Sequence, residues 1–184
     1  MTHPLQWARI AVARTDPRAR LADRVALYLE QQLPPDEYLV LSRHAPRDGE
    51  DRIPVVIIGH DRLVVVEPRD EEGDLVCYQD HWYRQIEGGV AQSLGDAPSL
   101  RARANAHRLR RDLGTGGFIN IPIEPIVLLT RGRADDVRSS CVPVVAGIDP
   151  LVRYVLAHTP SNSGRERAHA FAAALADNIK VAVV

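Results

Sequence analysis

Two apolar runs a few residues apart constrain this chain most: Ile53–Ile58 (IPVVII) and residues 63–67 (LVVVE), with Gly59-His60-Asp61 between them. Each is rich in β-branched residues, too short for a stable helix, and bounded by turn-forming residues, so each reads as a strand. The runs are continuous rather than alternating, which predicts a hairpin covered on both faces. Covering two faces takes helices, and the flanking sequence supplies them. Asp16-Pro17 sets an N-cap before a proline at the first helical position. The helix it opens runs to about residue 33, buries Leu21, Val25, Tyr28, Leu29 and Gln32/Leu33, and stops at Pro34-Pro35.

The rest of the chain extends this pattern. Strands are expected over residues 38–42, 75–79, 82–86, 126–129 and 142–145, with polar turns at 46–51 and 70–73 and a Glu87-Gly88-Gly89 turn. A second helix spans residues 98–113. Ala102, Ala106, Leu109 and Leu113 form its buried line, Arg101, Asn105, Arg108 and Asp112 lie alongside, and Gly114, Gly116 and Gly117 end it. Asp149-Pro150 caps a third helix that ends near residue 158, and Ser163 to Glu166 fits a capping box for an alanine-rich fourth helix to about residue 178. The sum is an α/β fold, a mixed central β-sheet flanked by helices. Residues 1–158 form one domain. Residues 159–184 are a C-terminal linker and helix, packed on the same domain or on a partner subunit of a homodimer.

Composition excludes several function classes. With 184 residues the chain can bury a sizeable core without staples. Its net charge of −1 gives no overall attraction to a polyanion, so any such binding needs a local patch. No run approaches the roughly 20 apolar residues of a membrane span. The opening MTHPLQWARIAVART has no long apolar stretch and carries two arginines, so it does not read as a signal peptide. Cys77 and Cys141 sit in apolar runs without ligand spacing and read as free buried thiols in a reducing compartment, which points to the cytoplasm. The histidines are scattered, without zinc spacing. Gly114-Thr115-Gly116-Gly117 follows a helix and lacks the lysine of a phosphate loop. All but one of the 23 basic residues are arginine. Lys180 therefore leaves no lysine near the two central strands.

Glu67 and Arg69 stand two residues apart where the second strand runs out, so their side chains share one face. Together with their neighbours they carry a resemblance. Ala22-Asp23-Arg24-Val25 lies on the first helix and Ile53-Pro54-Val55-Val56-Ile57-Ile58-Gly59 on the first apolar strand. Val65-Val66-Glu67-Pro68-Arg69 ends the next, Gly73 and Trp82 follow, and Arg101 precedes Asn105-Ala106 on the second helix. In this order the motifs resemble the nuclease-related domain (NERD) family, a branch of the PD-(D/E)xK nuclease fold, over about residues 21–145. The resemblance implies a restriction-endonuclease-like core and a NERD-like domain over residues 1–158. It also implies a site at Asp23, Glu67, Arg69 and Arg101, with Pro54 replacing an expected Asp.

The departures from the family point away from catalysis. In the family, three carboxylates hold Mg²⁺ and a lysine acts beside them. Here Glu67 is intact, Asp23 is a shorter substitute, Pro54 has no side-chain oxygen, and Arg69 keeps the charge without being able to lose a proton. Two guanidiniums can balance two carboxylates without a metal. The expectation is therefore an ion pair from Arg69 or Arg101 to Glu67, bidentate in its natural geometry, and no resident cofactor. The first reading is a degenerate, inactive domain that acts as a binding or interaction module, with DNA or RNA as candidate partner. Arg101, Arg103 and Arg108 on the basic second helix would grip the phosphates. A second reading is a working Mg²⁺-dependent nuclease that uses Asp23, Glu67, Arg69 in the lysine's role and a migrated ligand such as Asp51. A third is a purely structural or dimerising protein.

Overall fold

The computed structural model describes residues 16–46, 51–59, 62–86, 89–114 and 121–157. In chain order these form α1 (Pro17–Gln32), β1 (Leu39–His44), β2 (Ile53–Ile58), β3 (Leu63–Arg69), β4 (Gly73–Tyr78), β5 (His81–Ile86) and β6 (Val90–Ser93). Then follow α2 (Pro98–Gly114), β7 (Ile123–Leu129), β8 (Gly132–Asp136), β9 (Val144–Ala146) and α3 (Ile148–Leu156). The protein is an α/β fold with two mixed sheets, ordered β1-β2-β3-β7-β9 and β6-β5-β4-β8.

The two-sided hairpin is realised as the centre of the larger sheet. β2 and β3 pair antiparallel, Val55 opposite Val66 and Ile58 opposite Leu63, and all seven residues of β3 are buried. Alternate residues serve opposite layers. Val64 and Val66 join Val55, Ile57, Ile126 and Leu128 in a cluster with α1 and α3, around the fully buried Leu29. Leu63 and Val65 join Val56, Ile58, Leu109 and Leu113 on the side of α2. Burying each large aliphatic side chain contributes about 2 kcal/mol, and no helix of this length would hold without such packing. Asp16 caps α1 as its sequence dictates, accepting from the Arg18 amide at 2.9 Å.

A chain excursion between β3 and α2 supplies β4, β5 and β6 of the second sheet, and β8, after β7, completes it. β3 and β7 run parallel, and the parallel pair β4 and β8 continues from them after a bend at residues 70–72 and 130–131. The Thr130 amide donates to the Arg69 carbonyl at 2.8 Å and holds the bend together. Gly132 sits inside it: a Cβ there would lie 2.7 Å from the Glu71 carbonyl oxygen, so only glycine fits. Trp82 on β5 is 1% exposed and packs with Leu75, Cys77, Ala102, Val127 and Leu129, joining the second sheet to α2 and β7.

Several expectations need correction. β6 and β8 have no counterpart in the sequence reading, because their residues are mostly exposed and polar and leave no apolar pattern. The strand expected at 38–42 begins and ends slightly later, and the one expected at 142–145 is the short β9. α3 is capped by Gly147 without a side-chain hydrogen bond; Asp149 lies in its first turn and accepts from the Tyr28 hydroxyl at 2.5 Å. Cys77 is buried, but Cys141 is exposed, since its segment is a loop between β8 and β9. Among the described residues no helix is long and apolar enough to cross a membrane. His60-Asp61, Glu87-Gly88, Gly116, Gly117, the 159–164 linker and the expected fourth helix lie outside the described residues.

Candidate functional site

The C-terminal end of β3 and the N-terminal end of β2 open into a cleft of about 780 Å³. Its walls come from the first turns of α1, from β1 at Arg43, from residues 51, 52 and 54, from the end of β3 and the residues after it (67–71), and from α2 at Arg101, Ala104, Asn105 and Arg108. Extending the β2–β3 register by one pair sets Pro54 opposite Glu67. Alternation puts Leu63, Val65, Glu67 and Arg69 on the face toward α2, and the apolar pattern gives way to charge where the cleft begins.

Glu67 is 4% exposed. Its Oε1 receives Arg101 Nη2 at 2.9 Å, and Asn105 Nδ2 donates to Oε2 at 3.5 Å. Arg101 and Asn105 are one turn apart on α2, so one face of that helix supplies both contacts. The expected pair to Glu67 therefore comes from Arg101, whose Nη2 makes the approach. Arg69 is used elsewhere. Its Nε donates to Glu71 Oε2 at 3.0 Å, its Nη2 also contacts Glu71, and its Nη1 meets Asp96 Oδ2 at 2.6 Å. Burial works against the Arg69 charge, but its hydrogen bonds to Glu71 and Asp96 outweigh it and hold the guanidinium's pKa above its ordinary value.

Asp96 ties the site together. Besides Arg69 it accepts from Arg18 Nη2 at 3.1 Å and Arg101 Nη2 at 3.2 Å, so arginines from α1, β3 and α2 converge on one carboxylate. Nothing in the sequence marks Asp96, which lies in the short turn before α2. Glu71 belongs to the polar 70–73 turn, which reads as solvated or, less readily, as the source of a migrated metal ligand, and nothing local marks it as the partner of a residue at the end of β3.

Of the anticipated site residues, Pro54, Glu67, Arg69 and Arg101 line the one cleft, and Asp23 does not. Asp23 lies next to Ala22 on α1, and a helix turns about 100° per residue. Its side chain faces β1, where Ser42 Oγ donates to it and Arg43 Nη1 stands at 3.9 Å. Arg103 also departs from its expected place. It lies beside Asp80 and Cys141 at the second sheet, whereas Arg101 and Arg108, seven residues apart, share the cleft face. Asp51 lines the cleft as well. The buried His44 stands 3.7 Å from Asp112 outside the cleft lining, and burial lowers its pKa.

The donors suit a divalent ion poorly. A hard cation wants several free oxygens, but Glu67 is engaged by Arg101 and Asn105, the Pro54 side chain offers none, and Asp23 accepts from Ser42 on β1 outside the cleft lining. Among the described residues no three His, Cys, Asp or Glu side chains group as metal ligands. No family model matches this sequence, and no curated protein and no solved structure matches it either.

Burial pushes the Glu67 carboxyl above its ordinary 4.5, with the charges of Arg101, Arg69 and Arg18 opposing the shift. A carboxyl that holds its proton more tightly when folded stabilises the fold most below its unfolded pKa. That contribution is lost as pH rises from the unfolded value through the raised folded one. The urea-unfolding free energy of the wild type, minus that of Glu67→Gln, should therefore fall as pH rises from about 4.5 toward neutrality. A difference that rises with pH would reverse the assignment.

Proposed function

We propose that this chain is a degenerate nuclease-related domain of the NERD type, on a PD-(D/E)xK-like scaffold, which binds DNA or RNA in its arginine-lined cleft without hydrolysing it. The order of elements supports the scaffold: a helix, a three-strand antiparallel meander, then a helix leading to a parallel strand. The positions that carry the resemblance support it too, since Pro54 and Glu67 are cross-strand neighbours and Arg101 faces them from α2. The observation that carries the reading is the Arg101–Glu67 pair at 2.9 Å. A glutamate that must hold a metal cannot also be neutralised by a guanidinium, and Arg69 is too fully engaged to serve as the catalytic cation. On this reading no magnesium is resident. Six arginines line the cleft against the five carboxylates of Asp16, Asp51, Glu67, Asp70 and Glu71, and Arg18, Arg43, Arg52 and Arg108 are the cations that would grip a phosphate backbone there. A reducing, cytoplasmic setting accords with the two free cysteines.

Incubation of the full chain with supercoiled plasmid in Mg²⁺ or Mn²⁺ should leave the plasmid intact. Labelled single- and double-stranded oligonucleotides should bind, with affinity falling steeply as salt rises. Nicking that disappears in Glu67→Gln would overturn the inactive assignment. Absence of binding at low salt would overturn the nucleic-acid assignment.

A further inference from the structure

We propose that Asp96 is a built-in competitor for the cleft's ligand: its carboxylate occupies a three-arginine cradle that a phosphodiester group would otherwise fill. The inference rests on the nucleic-acid reading above and adds its regulation. Arg18, Arg69 and Arg101 come from α1, β3 and α2, and all three reach Asp96 within 3.2 Å. Three guanidiniums around one anionic group is the arrangement a phosphate oxygen calls for. Here the chain supplies the anion itself.

The charges close only with Asp96 in place. Arg18, Arg69 and Arg101 meet Glu67, Glu71 and Asp96, three cations against three carboxylates, and the set is neutral. When the Asp96 side chain leaves, one positive charge remains, the complement of one singly charged phosphodiester. The exchange is local. Asp96 sits between Gly95, which has φ of +72° and open space around it, and the start of α2. Leu94 before it is anchored, its amide bonded to the Trp82 carbonyl at 2.9 Å. Rotation of one side chain therefore frees the cradle while the sheet and α2 stay in place. Arg18 is the arginine best placed to follow an incoming phosphate, because its side chain is 66% exposed.

The test measures binding of a fluorescent single-stranded oligonucleotide to the full chain, wild type against Asp96→Asn and Asp96→Ser, over a salt series. Both variants should bind at least fivefold more tightly, and the log–log salt slope should steepen by about 0.7, the release of one counterion. Asp70→Asn removes a carboxylate that lines the cleft beside Arg69, whereas Asp96 reaches the cleft only through Arg18, Arg69 and Arg101, and it should gain less than twofold. In the unaltered protein the ¹⁵N–¹Hε signals of Arg69 and Arg101 should shift as oligonucleotide is added, which keeps the inference testable if the variants fold poorly. Wild-type binding with no gain in the Asp96 variants, an equal gain in Asp70→Asn, or arginine signals that stay fixed would overturn the competitor role while leaving the nucleic-acid reading intact. No binding by any form would overturn both.

Discussion

Replacing Arg69 by alanine is expected to lower the thermal unfolding midpoint by roughly 6–12 °C, although the substitution touches no apolar core residue. Arg69 is 7% exposed and its guanidinium divides between two carboxylates. Removing it takes from Glu71 the guanidinium that pairs with it and leaves Asp96 to Arg18 and Arg101, at a bend between the sheets where each acid's side chain is only 21% exposed. Breaking one partner out of a buried pair costs about 3–5 kcal/mol. The partial exposure of the two acids lets water resolvate them and places the cost near the lower end, at about 3 kcal/mol. For a chain of this length each kcal/mol moves the midpoint by about 2–4 °C. Arg69→Ala combined with Asp96→Ala should cost less than the two single changes added, because the double variant removes both ends of one interaction. A fall of less than about 2 °C in Arg69→Ala would mean that the ion cluster contributes little to the fold.

Trp82→Ala should cost about 4 kcal/mol and roughly 8–16 °C, with the second sheet loosened from the rest of the domain. The indole is buried among Leu75, Cys77, Ala102, Val127 and Leu129, and its Nε1 donates to Ser99 Oγ at 3.0 Å. Alanine leaves a large cavity at the junction of β5, β7 and α2. It also removes the indole donor to the fully buried Ser99 hydroxyl, which among the described residues keeps only Asp80 as a side-chain partner. Trp82→Phe refills most of the volume and loses only the hydrogen bond, so it should cost roughly 1–2 kcal/mol. Urea unfolding of both variants checks the ranking. Equal costs would mean that the hydrogen bond, rather than the packing, carries the contribution of Trp82.

What the sequence revealed divides along burial. The runs at 53–58 and 63–67 announce their strands because both faces are apolar, and Asp16-Pro17 announces its helix because capping is local chemistry. The buried line Ala102, Ala106, Leu109 and Leu113 follows from helical periodicity alone. β6 and β8 stayed hidden because they form by pairing to an edge rather than by burying a face. At the cleft, the shared face of Glu67 and Arg69 could be deduced from strand alternation. Which cation Glu67 meets could not, since Arg69 looks the nearer candidate in the chain, yet Arg101, 34 positions away, makes the contact. Asp23 shows the opposite error: its place in a motif suggested the cleft, and the rotation of α1 turned it toward Ser42.

The sequence by itself therefore determined the helices and strands with strong apolar patterning, and with them an α/β domain whose central hairpin is covered on both sides. Only the tertiary structure decided that Asp96 would gather Arg18, Arg69 and Arg101 and that Glu67 would pair with α2. Periodicity and capping act over a few neighbouring residues and are written locally. Ion pairs depend on which side chains the packed sheet and helices bring within about 3 Å, and that distance is set by elements far apart in the chain.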